Sequence, residues 1–187
     1  MSDSTEGRRR AVATAARLFQ RQGYAATGLR QVLDKSGAPK GSFYHYFPQG
    51  KEQLATEAVR LSDAQMRALI DRLLADNPEP ATAVRALAAT FAEWLERSGY
   101  AEGCPITTVA LEQSPISEPL RGACADAFES WQQLLADHLV RAGVEPAHAG
   151  PRATLVLCAL EGAFVIAKAT RSTAPFDACS QQLTLDT

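Results

Sequence analysis

The chain has 187 residues, 46% of them hydrophobic and 21% charged, enough to bury a core and too apolar for a disordered tail. Aromatics make up only 7%, and alanine and leucine are abundant, which favours helices. The formal charge of −2 hides a strong asymmetry: residues 8–51 hold nine basic groups and one acidic group, net +8, whereas residues 61–187 hold nine basic and sixteen acidic groups, net −7. One end of the protein would be drawn to polyanions and the other would not.

In chain order, a polar start (1–7) runs into Arg8-Arg9-Arg10 with no apolar leader behind it. Val12, Ala15, Ala16, Leu18 and Phe19 then fall on one face of a first helix. Gly23 offers a left-handed stop, and Tyr24 follows as an apolar plug. Thr27 is positioned to N-cap a short second helix, Leu29 to Lys35, which Ser36-Gly37-Ala38-Pro39 breaks. A third short helix runs from Pro39 or Lys40 to about Tyr46, and Phe47-Pro48-Gln49-Gly50 turns the chain. A long helix from Lys51 to about Ala75 follows, ended by Asn77-Pro78-Glu79-Pro80. Further helices are expected over about 81–97, 106–112, 117–142 and 147–169, the last of them apolar around most of its circumference. With no alternating strand pattern and no internal repeat, the fold class is all-α.

The stretch 153–169 is interrupted by Thr154, Glu161, Gly162 and Lys168, which reads as short of a membrane span. Cys104, Cys124, Cys158 and Cys179 are 20, 34 and 21 residues apart, with no CxxC pair and no His/Cys cluster. That spacing argues against a zinc site or a disulfide scaffold. The chain is expected to be soluble and cytoplasmic, with no metal and no cofactor. No GxSxG, P-loop or dinucleotide glycine pattern is present, so the sequence does not read as that of an enzyme.

Three short helices joined by tight turns within residues 8–47 match the plan of a helix-turn-helix domain. In such a unit the third helix enters the major groove with its N-terminal residues against base edges. Lys40 and Gly41 open that helix, where free N–H groups and a cation meet phosphate and a residue without Cβ allows close approach.

The runs Thr27-Gly28-Leu29-Arg30-Gln31-Val32-Leu33, Pro39-Lys40-Gly41-Ser42-Phe43-Tyr44-His45-Tyr46-Phe47 and Lys51-Glu52-Gln53-Leu54 resemble the DNA-binding domain of TetR/AcrR-type transcriptional regulators. The turn Phe47-Pro48-Gln49-Gly50-Lys51 is one residue longer than the commoner form. That length, with Gly103-Cys104-Pro105, is similar to the LmrA/YxaF-like branch. The resemblance implies a DNA-binding domain over residues 1–54 and a helical ligand-binding and dimerisation domain over 55–187. It implies DNA contacts for Thr27, Lys40, Gly41, Ser42, Tyr44, His45, Tyr46 and Lys51. Tyrosine hydroxyls are expected mainly on phosphates, Ser42 and His45 on base edges, Lys51 on phosphate, and Phe43 and Phe47 in the small core. Repression of a palindromic double-stranded DNA operator, relieved by a small hydrophobic effector, follows from the resemblance alone.

Homodimerisation is expected through the helices at about 117–142 and 147–169, whose apolar faces would otherwise stand in water. In a two-fold dimer the recognition helices must lie about 34–36 Å apart, so an effector that favours another separation lowers DNA affinity. Met66, Phe91, Trp94, Phe128 and Trp131 fall on inward faces and either line an effector cavity, with Thr107, Thr108 or Gln113 as polar contacts, or are ordinary core. Cys104 reads either as a redox-sensing thiol or as a structural cysteine, and His138 and His148 as surface or capping residues. Two other readings stay open: a helical carrier or enzyme with a vestigial basic domain, and a nucleoid-type binder without ligand control.

Overall fold

The computed structural model describes residues 3–38, 41 and 43–183. Helices account for most of them: α1 (Asp3–Gln22), α2 (Leu29–Ser36), α3 (Phe43–Tyr46), α4 (Gly50–Asp76), α5 (Pro80–Arg97), α6 (Pro105–Gln113), α7 (Glu118–Arg141), α8 (Pro146–Thr170) and α9 (Ala174–Gln182). Among the described residues none is in a strand. The boundaries follow local chemistry. Glu79 caps α5, its carboxylate accepting from Ala81 N (3.0 Å) and Thr82 N (2.8 Å), and those two bonds hold its pKa below the ordinary value. Pro80, Pro105 and Pro146 each open a helix, where a missing N–H costs nothing. Gly37 closes α2 at φ +64.

Two compact units form. The first comprises residues 1–64 and 104–127, the second residues 65–103 and 128–187, so α4 and α7 contribute to both. In the first, α1 packs on α2 and on α6, around buried Phe19, Phe47, Leu54, Ile106 and Leu120. In the second, α9 packs on α5 and α8, around buried Leu87, Leu95, Trp131, Val156 and Phe176. An aromatic line runs through that core, with Phe91 5.2 Å from Phe164 and Phe164 5.1 Å edge-on to Phe176.

Three expectations need correction. α2 begins after Gly28, not Thr27: Gly28 is its N-cap and no side chain caps it. The chain does not end its helices near 169, since α9 follows and buries Phe176. By length and composition α8 would suffice to cross a membrane; its buried residues, among them Ala153, Val156, Leu160 and Phe164, pack instead in the second unit.

Candidate nucleic-acid interface

α3 is one turn long, and its position depends on the rings around it. Phe43, Tyr46 and the following Phe47 are buried; the Phe43 and Phe47 rings lie 5.2 Å apart, and Phe47 N donates to Phe43 O at 2.8 Å. This anchoring leaves Tyr44 and His45 facing outward: Tyr44 is 69% exposed, its ring edge-on to Phe43 at 5.2 Å, and His45 is exposed. Phe43 and Phe47 are core, as expected. Tyr46, expected on phosphate, has little exposed surface. Gly41 is exposed. Lys40 and Ser42 lie outside the described residues.

Arg8, Arg9 and Arg10 of α1 have internal partners as well as charge. Arg8 donates to Glu57 at 2.6 Å and its guanidinium lies 5.4 Å from the Phe47 ring centre. Arg9 pairs with Glu6 at 2.6 Å. Arg10 Nε donates to Ser36 O at 3.1 Å and so ties α1 to the last turn of α2. On α2, Arg30 lies 3.7 Å from Asp34 and stays almost fully exposed. Surface pairs of this kind hold little energy and leave the cations available to a polyanion.

The turn between α1 and α2 is pinned from three sides. Thr27 is 0% exposed, and its hydroxyl donates to Gly23 O at 2.7 Å, an internal role that removes the side chain from any direct contact surface. Lys51 Nζ donates to Tyr24 O at 2.7 Å and stands 4.0 Å from the Tyr24 ring centre. Glu112 Oε2, from α6, accepts from Ala25 N at 2.7 Å. Burial lowers the Lys51 pKa from its ordinary value, and the Glu112 charge opposes that shift; burial, with the Glu52 charge, raises that of Tyr24. An ammonium has three N–H groups, so the carbonyl bond does not exhaust Lys51. Glu112 carries no local signal for this role, being 87 residues from its partner.

The residues considered for an effector cavity do not share one unit. Met66, Phe91, Trp94, Phe128 and Trp131 belong to the second, whereas Thr107 and Thr108 belong to the first. Phe91 lies 6.1 Å from Trp94, and Phe128 5.6 Å edge-on to Trp131. Thr108 donates its hydroxyl to Cys104 O at 2.9 Å, as a back-bond within its own helix start. Cys104 itself is buried at the head of α6. Burial pushes the Cys124 thiol up to about 11, away from reactive thiolate character. His138, read from sequence as a surface or capping residue, is 4% exposed.

The family description "Bacterial regulatory proteins, tetR family" matches residues 11–58, and "Transcriptional regulator LmrA/YxaF-like, C-terminal domain" matches residues 80–182. The HTH-type transcriptional regulator YxaF of Bacillus subtilis is 35% identical over 183 residues, covering 98% of this chain and 96% of its own. LmrA of the same organism, also an HTH-type transcriptional regulator, is 35% identical over 170 residues, covering 91% of this chain and 90% of its own. Among solved structures, a TetR transcriptional regulator from Chloroflexus aurantiacus superposes with a TM-score of 0.82 at 27% identity, covering 98% of this chain and 94% of that one.

Proposed function

Because the chain belongs to the TetR family of bacterial transcriptional regulators, with an LmrA/YxaF-like C-terminal domain, we propose that it is a repressor that binds a palindromic operator as a homodimer and is released by a small hydrophobic effector. It is a transcriptional regulator and not an enzyme, as its relatives are. Residues 1–54 read the DNA; residues 55–187 carry the effector site and the dimer face.

The observation that carries this reading is α3: a single turn whose buried rings fix the backbone while Tyr44 and His45 project into solvent. They do so in the segment that holds a net charge of +8 over residues 8–51. A rigidly held, exposed aromatic and imidazole in a segment with excess positive charge suits a surface that positions on phosphates and reads base edges. Lys40, Gly41, Ser42 and Lys51 complete the contact set, with Tyr46 packing behind it and Thr27 acting by holding the α1–α2 turn. The second unit supplies the apolar candidates for the effector: Met66, Phe91, Trp94, Phe128 and Trp131.

Selection from a random duplex pool with ligand-free protein tests the reading. An enriched inverted repeat with half-sites one helical turn apart is expected, since a two-fold dimer presents its recognition helices at that spacing. Weak, salt-sensitive binding without enrichment would overturn it in favour of non-specific attraction.

A further inference from the structure

Side chains from several elements hold the backbone polar groups of the turn from Gly23 to Ala26. Gly23 O accepts from the Thr27 hydroxyl at 2.7 Å, and Tyr24 O accepts from Lys51 Nζ at 2.7 Å. Ala26 O accepts from Gln22 Nε2 at 2.8 Å, and the same amide donates to Gln31 Oε1 at 2.9 Å, joining the end of α1 to α2. These donors all lie within residues 22–51. One bond comes from elsewhere in the same unit: Ala25 N donates to Glu112 Oε2 of α6 at 2.7 Å, across 87 residues of sequence. Gly23, having no Cβ, leaves room for the other carboxylate oxygen, Oε1.

Attraction to a polyanion does not explain this carboxylate. It is set against the segment of net charge +8. Burial lowers the Lys51 pKa, and the Glu112 charge, which opposes that shift, is felt at the ammonium. A negative group beside a phosphate-seeking cation works against phosphate. Nor is the carboxylate needed to satisfy Ala25 N, since Ala25 is exposed and water could serve its N–H. What water cannot supply is a fixed direction. A hydrogen bond to an ionised acceptor is about twice as strong as a neutral one, and this one grips the turn from which α2 leaves α1. α2 begins at Leu29 and α3 follows it, so a change of angle at Ala25 is carried to both. Binding constellations tolerate displacements of only about 0.5 Å.

We propose that Glu112 is a positioning residue for DNA reading: by accepting from Ala25 N it sets the α1–α2 turn, and with it the placement of α2 and of Tyr44 and His45 on α3, without itself touching DNA. The inference rests on the repressor reading for its DNA half. Its structural half, a turn whose order depends on one carboxylate from α6, is independent of that reading.

Glu112→Ala and Glu112→Gln separate the bond from the charge, because a carboxamide oxygen can still accept from Ala25 N. Both full-length variants are compared with wild type in competition binding to the selected operator and to a random duplex, at a temperature where all three are folded. Glu112→Ala is expected to reduce the ratio of operator to random-duplex affinity by about tenfold. Glu112→Gln should keep that ratio within about twofold, and should bind both duplexes more tightly at low salt because a charge opposing phosphate is gone. Loss of stability alone would not move the ratio. Amide exchange of the DNA-free proteins is followed alongside. Ala25 should exchange about tenfold faster in Glu112→Ala and close to the wild-type rate in Glu112→Gln, with α5 and α8 unchanged in both. A wild-type ratio or wild-type Ala25 exchange in Glu112→Ala overturns the proposal. So does a Glu112→Gln as impaired as Glu112→Ala, since charge and not the bond would then govern. If the wild-type protein prefers no sequence, the repressor reading falls and the DNA half of this inference falls with it. A wild type that discriminates, beside a Glu112→Ala that discriminates equally, overturns this inference alone.

Discussion

Glu112 occupies the space that a side chain on Gly23 would need: a Cβ built there falls against Glu112 Oε1 and 3.0 Å from its Cδ. Gly23 also has φ +80, which strains any other residue whatever the space, whereas the Glu112 carboxylate ends a flexible side chain and would have to move aside. The close approach lets the α6 carboxylate accept from Ala25 N, 2.7 Å away, beyond the end of α1. Gly23→Ala should therefore cost about 1–2 kcal/mol from the left-handed backbone alone, plus the displacement of Glu112. A drop of several degrees in melting temperature is expected. Glu112→Ala leaves the backbone unstrained and should lower the melting temperature less; if the two variants melt alike, the steric argument fails.

Lys51 acts in two directions at once. One N–H is committed to Tyr24 O and the charge lies over the Tyr24 ring, while the ammonium retains donors for a phosphate. Lys51→Met is expected to weaken all duplexes alike and to flatten the salt dependence by about one unit. It should also lower the melting temperature, since the Tyr24 carbonyl and ring lose their partner. A lower melting temperature with an unchanged salt slope would assign Lys51 to the protein interior alone.

His45 and Tyr44 are adjacent and both outward, yet their chemistry differs. A tyrosine hydroxyl serves phosphate, and an imidazole on the same turn serves a base edge. His45→Ala should reduce the ratio of operator to random-duplex affinity by about 1–3 kcal/mol equivalent, and Tyr44→Phe should lower both affinities together. Parallel losses for His45→Ala in competition binding would make it a backbone contact.

Much of this architecture was legible because it is local. The long helices follow from periodicity within a few turns, and the Asn77–Pro80 breaker from proline geometry; that Glu79 caps α5 is known from the structure alone. What escaped was decided across the chain. Thr27 has the right residue type for an N-cap, but its hydroxyl bonds backward to Gly23 O, so α2 starts on Gly28 uncapped. α9 is short, with Phe176 its one large apolar side chain; packing on α5 and α8 makes it a helix. The proposed DNA-facing surface follows a sequence motif, in which Phe43 and Phe47 mark the buried side. Tyr46 and Thr27 carry the family's residue types and yet face inward, because the small core needs them more than the surface does.

His138 predicts an acid-side weakness. Its folded-state pKa is lowered, chiefly by burial, while the unfolded chain titrates near the ordinary value. Above that value both states are neutral and the full stability is present. As pH falls below about 6.5 the unfolded state takes up the proton first, and stability declines until the folded-state pKa is passed. Melting temperature should therefore fall between pH 7 and pH 5, and His138→Gln should flatten that part of the profile. An equal slope in the variant would place the acid sensitivity elsewhere.

The outer side of α8 gives the last prediction. Leu155, Val165 and Ile166 are 58%, 55% and 54% exposed, and with Cys158, Gly162 and Ala169 they recur every three or four residues along one side. A helix whose other side is already core has no reason to keep such a stripe in water unless a second copy covers it. The small residues between the large ones allow two such helices to approach closely. Val165→Glu would bury a charge on each protomer of a two-fold dimer without a partner, a cost of about 3–5 kcal/mol per unpaired buried charge. Light scattering coupled to size exclusion should find this variant monomeric, with operator affinity reduced because only one half-site is engaged. Ile116 is the control: it is 78% exposed but lies in the turn after α6, in the first unit and not on α8. Ile116→Glu should remain dimeric. If Ile116→Glu dissociates and Val165→Glu does not, the interface involves the α6–α7 turn and the α8 stripe serves another contact.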